Sequence, residues 1–103
     1  MTRSLWFLAA LGLTGCGTDP VEACLDLTTT FTDKAVECGL DEADAEADAL
    51  YLFTNGGCES VQELRKGREL TKTCLPWIED LSCDQFLDTE LIIDPSCEGQ
   101  LLY

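Results

Sequence analysis

Two sets of side chains in this sequence have the type and spacing to do chemistry: seven cysteines and a run of carboxylates. Asp41, Glu42, Asp44, Glu46 and Asp48 lie within just over two turns of a potential helix. Carboxylate oxygens suit hard divalent cations such as calcium. The run lacks the central glycine and the terminal bidentate glutamate of a helix–loop–helix calcium site. On a helix, Asp41, Asp44 and Asp48 share one stripe and are the candidate cation ligands, while Glu42 and Glu46 share another. The plainer reading is a solvated face. Arg65, Arg68 and Lys72 fall on one stripe of a later segment and could face these acids, each exposed pair contributing at most about 1 kcal/mol.

Other chemistries lack their residues. There is no histidine, which removes Ser-His-Asp and Cys-His catalysis and the commonest metal ligand. No Cys-x-x-Cys occurs, so neither a thioredoxin-like pair nor a paired-cysteine zinc site is signalled. Met1 is the only methionine, and there is no glycine-rich phosphate loop. Paired carboxylates could serve a glycosidase, but with twenty acids some pair always lies at a workable distance. We therefore expect no enzyme and no cofactor.

Cys16 stands apart from the other cysteines. Met1–Ser4 carries one positive charge, Leu5–Leu13 (LWFLAALGL) is an apolar core, and Leu13-Thr14-Gly15-Cys16 closes it. The run is an export signal in layout and too short to span a bilayer, which takes about 20 apolar residues. The last four residues resemble a bacterial lipobox. In that family a diacylglycerol is joined to the cysteine sulfur, the preceding segment is removed and the new amino terminus is acylated. The resemblance implies residues 1–15 as a lipoprotein signal peptide, Cys16 as the lipidation site and palmitate-like chains as the membrane anchor. Stable anchoring takes two or more such chains. Gly17, where inner-membrane retention uses Asp, implies the outer membrane of a Gram-negative cell envelope.

Removing residues 1–15 takes away Arg3 and no acid. What remains is one small domain with five basic and twenty acidic side chains, a formal balance of −15. That charge argues against nucleic acid, which is held by Lys and Arg neutralising phosphates. It also disfavours anionic lipid and favours cationic partners. Six cysteines are left to pair: Cys24, Cys38, Cys58, Cys74, Cys83 and Cys97. In a short exported chain an even count reads as three disulfides, which a core this small requires.

The elements that must position these groups read as helices. Residues 16–20 form the lipidated cysteine and a short linker, and 21–103 a helical Cys-rich domain. Asp19-Pro20 is a helix start. Val21, Cys24, Leu25, Thr28, Phe31, Ala35 and Cys38 then recur at helical spacing, and Gly39 is a stop. Asp41–Phe53 is a second helix, because Ala and Glu form helices better than strands. Ser60-Val61-Gln62-Glu63 reads as a capping box opening a third helix to about Thr73. Leu75-Pro76-Trp77 reads as a turn with Pro76 at a helix start, and Ser82-Cys83-Asp84-Gln85 as another capping box, opening a short helix through about Asp88. Leu91–Ile93 could be extended, and the apolar tail is expected to dock. Trp77 reads as core; Trp6 belongs to the signal.

The predicted fold is all-α, a small disulfide-stapled bundle of three to five short helices. Short connections imply antiparallel neighbours. Cys24 to Cys38 and Cys58 to Cys74 then span roughly 21 and 24 Å. This layout predicts Cys24–Cys58, Cys38–Cys74 and, by exclusion, Cys83–Cys97, provided that Cys58 precedes the third helix. In layout the chain resembles small Cys-rich lipoproteins of unassigned activity. The functional expectation is a membrane-tethered acidic interaction module, an inhibitor or adaptor for an unidentified protein partner. A calcium-binding protein using residues 41–48 is the alternative, and a carboxylate-based hydrolase the remote one.

Overall fold

The computed structural model describes residues 19–103. The expected signal segment (residues 1–15), Trp6, the Leu13–Cys16 motif and Cys16 lie outside them. The described chain is a small helical domain stapled by three disulfides, as the sequence predicts.

Helix α1 spans Pro20–Glu37. The Asp19 carboxylate accepts the Val21 N–H, and Pro20 occupies the first turn, where its missing donor leaves nothing unpaired. The helix ends in a Schellman turn: Gly39 takes a φ of 97°, its N–H donates to Val36 O, and the Leu40 N–H donates to Ala35 O at 2.9 Å. Helix α2 spans Glu42–Phe53, with the Asp41 side chain accepting the Asp44 N–H. Its alternating sequence resolves into a helical ridge. Ala45 and Ala49 are buried, and Phe53 continues the same i, i+4, i+8 row, while the acids between them face solvent. The small alanines let α2 lie close against α1. Ala45 packs beside Ala35, and Phe53 beside Ala23 and Leu27, so the two helices are antiparallel.

The third helix does not start where the capping-box reading placed it. Residues 60–63 remain outside any helix, and β1, Glu63–Leu64, pairs antiparallel with β2, Leu101–Leu102. The Gln62 N–H donates to Leu102 O at 2.8 Å. A long-range ladder to the docked tail thus claims the backbone that a local helix would have used.

A continuous helical segment follows, in three pieces: α3, Gly67–Glu69; a π turn, Leu70–Cys74; and α4, Leu75–Asp80. The expected turn at Pro76 is absent. Pro76 lacks an N–H, and its ring would press on the carbonyl one α-turn back, so an interior proline normally kinks a helix. The widened π turn immediately before it relieves that conflict and keeps the axis going. Helix α5, Cys83–Phe86, opens with the predicted capping box, in which Ser82 and Gln85 exchange both hydrogen bonds. Residues 91–93 are irregular, and a 3₁₀ turn, Pro95–Cys97, leads into β2.

Helix α1 sits between α2 and the 67–80 segment. The core on one side joins Ala23 and Leu27 to Leu70, Cys74, Ile78 and Cys97. Toward the end of α1 it joins Ala35 and Ala45 to Leu81 and Phe86. Phe31 bridges the two, meeting Phe53 edge-on at 5.5 Å and Phe86 at 5.0 Å between ring centroids. Leu25, expected in the stripe, is about half exposed; Leu27 takes its place at zero exposure.

The disulfides are Cys24–Cys58, Cys38–Cys83 and Cys74–Cys97, with Cα separations of 5.6, 5.3 and 5.0 Å. The first is the predicted pair; the other two exchange partners relative to the prediction. The late start of the 67–80 segment is the reason. Cys74 lies partway along it, level with Ala23 and Leu27 rather than with Cys38. The chain comes alongside Cys38 only at Cys83, which leaves Cys74 to the returning tail.

Candidate functional site

The disulfides mark two ends of the molecule. Cys24–Cys58 clamps the start of α1 to the loop after α2, and Cys38–Cys83 clamps the end of α1 to α5. The two ends differ in charge.

At the Cys38 end, Asp41, Glu42, Asp44, Asp80, Asp84, Asp88 and Glu90 are exposed. Two of the three candidate cation ligands, Asp41 and Asp44, belong to this set, but the three do not converge. Asp41 is committed to the Asp44 N–H at 3.2 Å, and Asp48 lies two turns into α2, exposed like Asp44. Among the described residues no group of three or more Cys, Asp or Glu side chains is arranged to hold a metal ion. Among the described residues the only cation near this end is Lys34, and it is buried at 7 % exposure. Its ammonium donates to Glu79 O at 2.8 Å and Leu81 O at 2.9 Å, with Glu37 at 3.8 Å. Lys34 therefore closes the C-terminus of α4, where orphan carbonyls and the helix dipole favour a positive charge.

At the Cys24 end the other cations gather. Arg65, Lys66, Arg68 and Lys72 are all exposed, and they are the remaining Lys and Arg of the described chain. The expected stripe facing α2 does not form, because α1 lies between α2 and the 67–80 segment. Arg65 instead holds the returning tail, donating to Glu98 O at 2.9 Å and Gly99 O at 3.2 Å. Gln100, almost wholly buried, receives the Lys66 N–H on Oε1 and donates from Nε2 to Ser96 O, both at 2.8 Å. Lys66 also pairs with Glu69 at 3.5 Å.

The Cys24 end carries exposed apolar side chains as well. Leu25 on α1, Leu50, Tyr51 and Leu52 at the end of α2, and Leu102 and Tyr103 at the tail are all exposed. The Tyr103 hydroxyl lies 2.6 Å from the Asn55 N–H that donates to it, holding the tail against the turn after α2. A groove of about 540 Å³ runs between Tyr51 and that turn. Trp77 is half-buried against both parts of the core, as the sequence reading expects.

Sequence reasoning missed Lys34 and Gln100. Lys34 gives only an i, i+3 pairing with Glu37 as a signal, and Gln100 gives none. No protein-family model matches this chain, and neither the curated proteins nor the solved structures contain a match to it.

Proposed function

We propose that this protein is a lipid-tethered interaction module of the bacterial cell envelope, held by an acylated Cys16 and presenting an acidic end to a cationic protein partner. The observation that supports this reading is the division of charge along α1. The exposed acids of α2, α5 and the loop after α5 surround one end, and Lys34, the one cation there among the described residues, is sealed beneath the surface. Three disulfides hold the backbone that presents them, so little ordering is needed when a partner binds. Opposed charge speeds the encounter and selects the partner more than it adds affinity. An inhibitor or adaptor of an exported protein fits this description, and so does outer-membrane placement through Gly17.

The test is partner capture from solubilised envelopes with the tagged, folded domain and two charge-neutralised variants. Asp41 is left intact because it caps α2. Asp44→Asn with Asp84→Asn and Asp88→Asn should abolish capture, whereas Glu59→Gln with Glu63→Gln at the opposite end should not. Equal capture by all three proteins would remove the acidic-end reading.

A further inference from the structure

We propose that the Cys24 end of the domain rests on the bilayer surface, with Tyr51 and Tyr103 at headgroup level and the 65–72 cations against anionic headgroups. This inference rests on the anchor at Cys16 proposed above. Cys16 precedes Asp19 by three residues, a reach of about 11 Å when fully extended. Asp19 caps α1 at this end. A chain tethered there keeps the Cys24 end within contact distance of the membrane.

The side chains found at that end suit such a surface. Tyr51 is 86 % exposed, Leu52 51 % and Tyr103 44 %, an expensive display for a domain this small unless it is covered. Tyrosine favours the interface because its ring is apolar and its hydroxyl is wet. Lys66, Arg68 and Lys72 can lay their stems over apolar surface and extend their charges to anionic headgroups.

The anchored domain's formal charge of −15 opposes this contact. Distance removes most of the objection. Helix α1 has 18 residues and is therefore about 27 Å long, roughly three screening lengths at physiological salt. The acids at the Cys38 end are thus largely screened from the membrane. Acids also share the Cys24 end, from Asp19, Glu22 and Asp26 on α1 to Glu59, Glu63 and Glu98. The cations offset part of that local negative charge, while the tether and the apolar side chains set the orientation and supply the contact.

Residues 17–103 with an amino-terminal histidine tag, held on nickel-chelating vesicles, test this without depending on acylation. The vesicles contain phosphatidylcholine with about one-third phosphatidylglycerol. Circular dichroism and bridge mapping check folding, and hydroxyl-radical footprinting reads the face. On vesicles Tyr51 and Tyr103 should oxidise about fivefold more slowly than in solution, with Leu87 at the Cys38 end unchanged. Arg68→Glu with Lys72→Glu should reduce that protection on anionic vesicles and leave it unaltered on neutral ones.

Equal oxidation on vesicles and in solution overturns the docking. Equal protection on neutral and anionic vesicles overturns the contact of the cations with anionic headgroups. Protection that follows protein concentration without vesicles assigns the face to a second copy and overturns the proposal too. Failure of the native Cys16 to take up palmitate would instead remove the anchor, which this tagged protein does not use.

Discussion

The Lys34 ammonium lies 2.9 Å from the carbonyl oxygen of Leu81, a residue 47 positions along the chain, and both side chains are buried. With the Glu79 carbonyl at 2.8 Å, this contact joins the last turn of the domain's longest helix to the end of α4. A cation so placed serves as a cap from outside the helix that it caps.

Replacing Lys34 by methionine keeps most of the stem and removes the charge. Two carbonyls would then lose their donor in a poorly hydrated site. Hydrogen bonds from a charged donor contribute about 1.5–3 kcal/mol, and a stranded buried acceptor adds to the loss. We expect Lys34→Met to lower stability by about 2–3 kcal/mol in urea titration. A loss below about 0.5 kcal/mol, the range of an ordinary surface change, would contradict the capping role.

The bridges can be mapped directly. Digestion without reduction should give peptides joining Cys38 to Cys83 and Cys74 to Cys97, along with Cys24 to Cys58. Finding Cys38 joined to Cys74 would restore the pairing read from antiparallel spacing and contradict the structure. The closed loops differ modestly, with separations of 34, 45 and 23 residues. Chain-entropy reasoning therefore assigns each bridge about 3–4 kcal/mol. A paired Cys74→Ala and Cys97→Ala change should cost at least as much as that, since both sulfurs also fill the core around Leu70 and Ile78.

The pattern of success and failure in reading the sequence follows from the range of the interactions. Helices α1 and α2 were legible because their signals are local: Asp19 and Asp41 as caps, Gly39 as a stop, and Ala45, Ala49 and Phe53 as one ridge. The Ser82–Gln85 capping box was legible for the same reason. The similar box at Ser60–Glu63 failed because residues 101–102, far away in sequence, pair with that backbone. This one displacement moved the third helix start to Gly67 and exchanged two disulfides. The Lys34 contact was invisible because its partners are main-chain carbonyls, which any residue supplies. The separation of charge was visible in part: the cations cluster within residues 65–72, but their distance from the acids depended on which helix lay between.

Gly39 tests the local argument by itself. An added Cβ would have nothing within 4 Å, so crowding is absent and only the φ of 97° opposes a side chain. Left-handed backbone costs a non-glycine residue about 1–2 kcal/mol. Gly39→Ala should lower the melting temperature by an amount equivalent to about 1 kcal/mol, and Gly39→Asn by less, because asparagine tolerates this conformation better. Equal losses for the two variants would indicate that something other than backbone conformation holds Gly39 in place.

The proposed anchor can be separated from the fold. The amino-terminal apolar run and Cys16 lie outside the described residues, while every cysteine within them is paired. Cys16 is therefore dispensable for the bridges, and Cys16→Ser should leave the disulfide map and the melting curve unchanged. The same change should abolish labelled palmitate incorporation and release the protein from sedimented membranes, because the acyl chains that make anchoring stable are gone. The contact proposed at the Cys24 end is too weak to substitute for them: four exposed cations there work against at least six nearby carboxylates, and polybasic attraction is only about 1 kcal/mol per unopposed charge. A Cys16→Ser protein that stays with membranes washed in high salt would thus contradict the lipid anchor, and one that loses its bridges would show that Cys16 takes part in disulfide exchange.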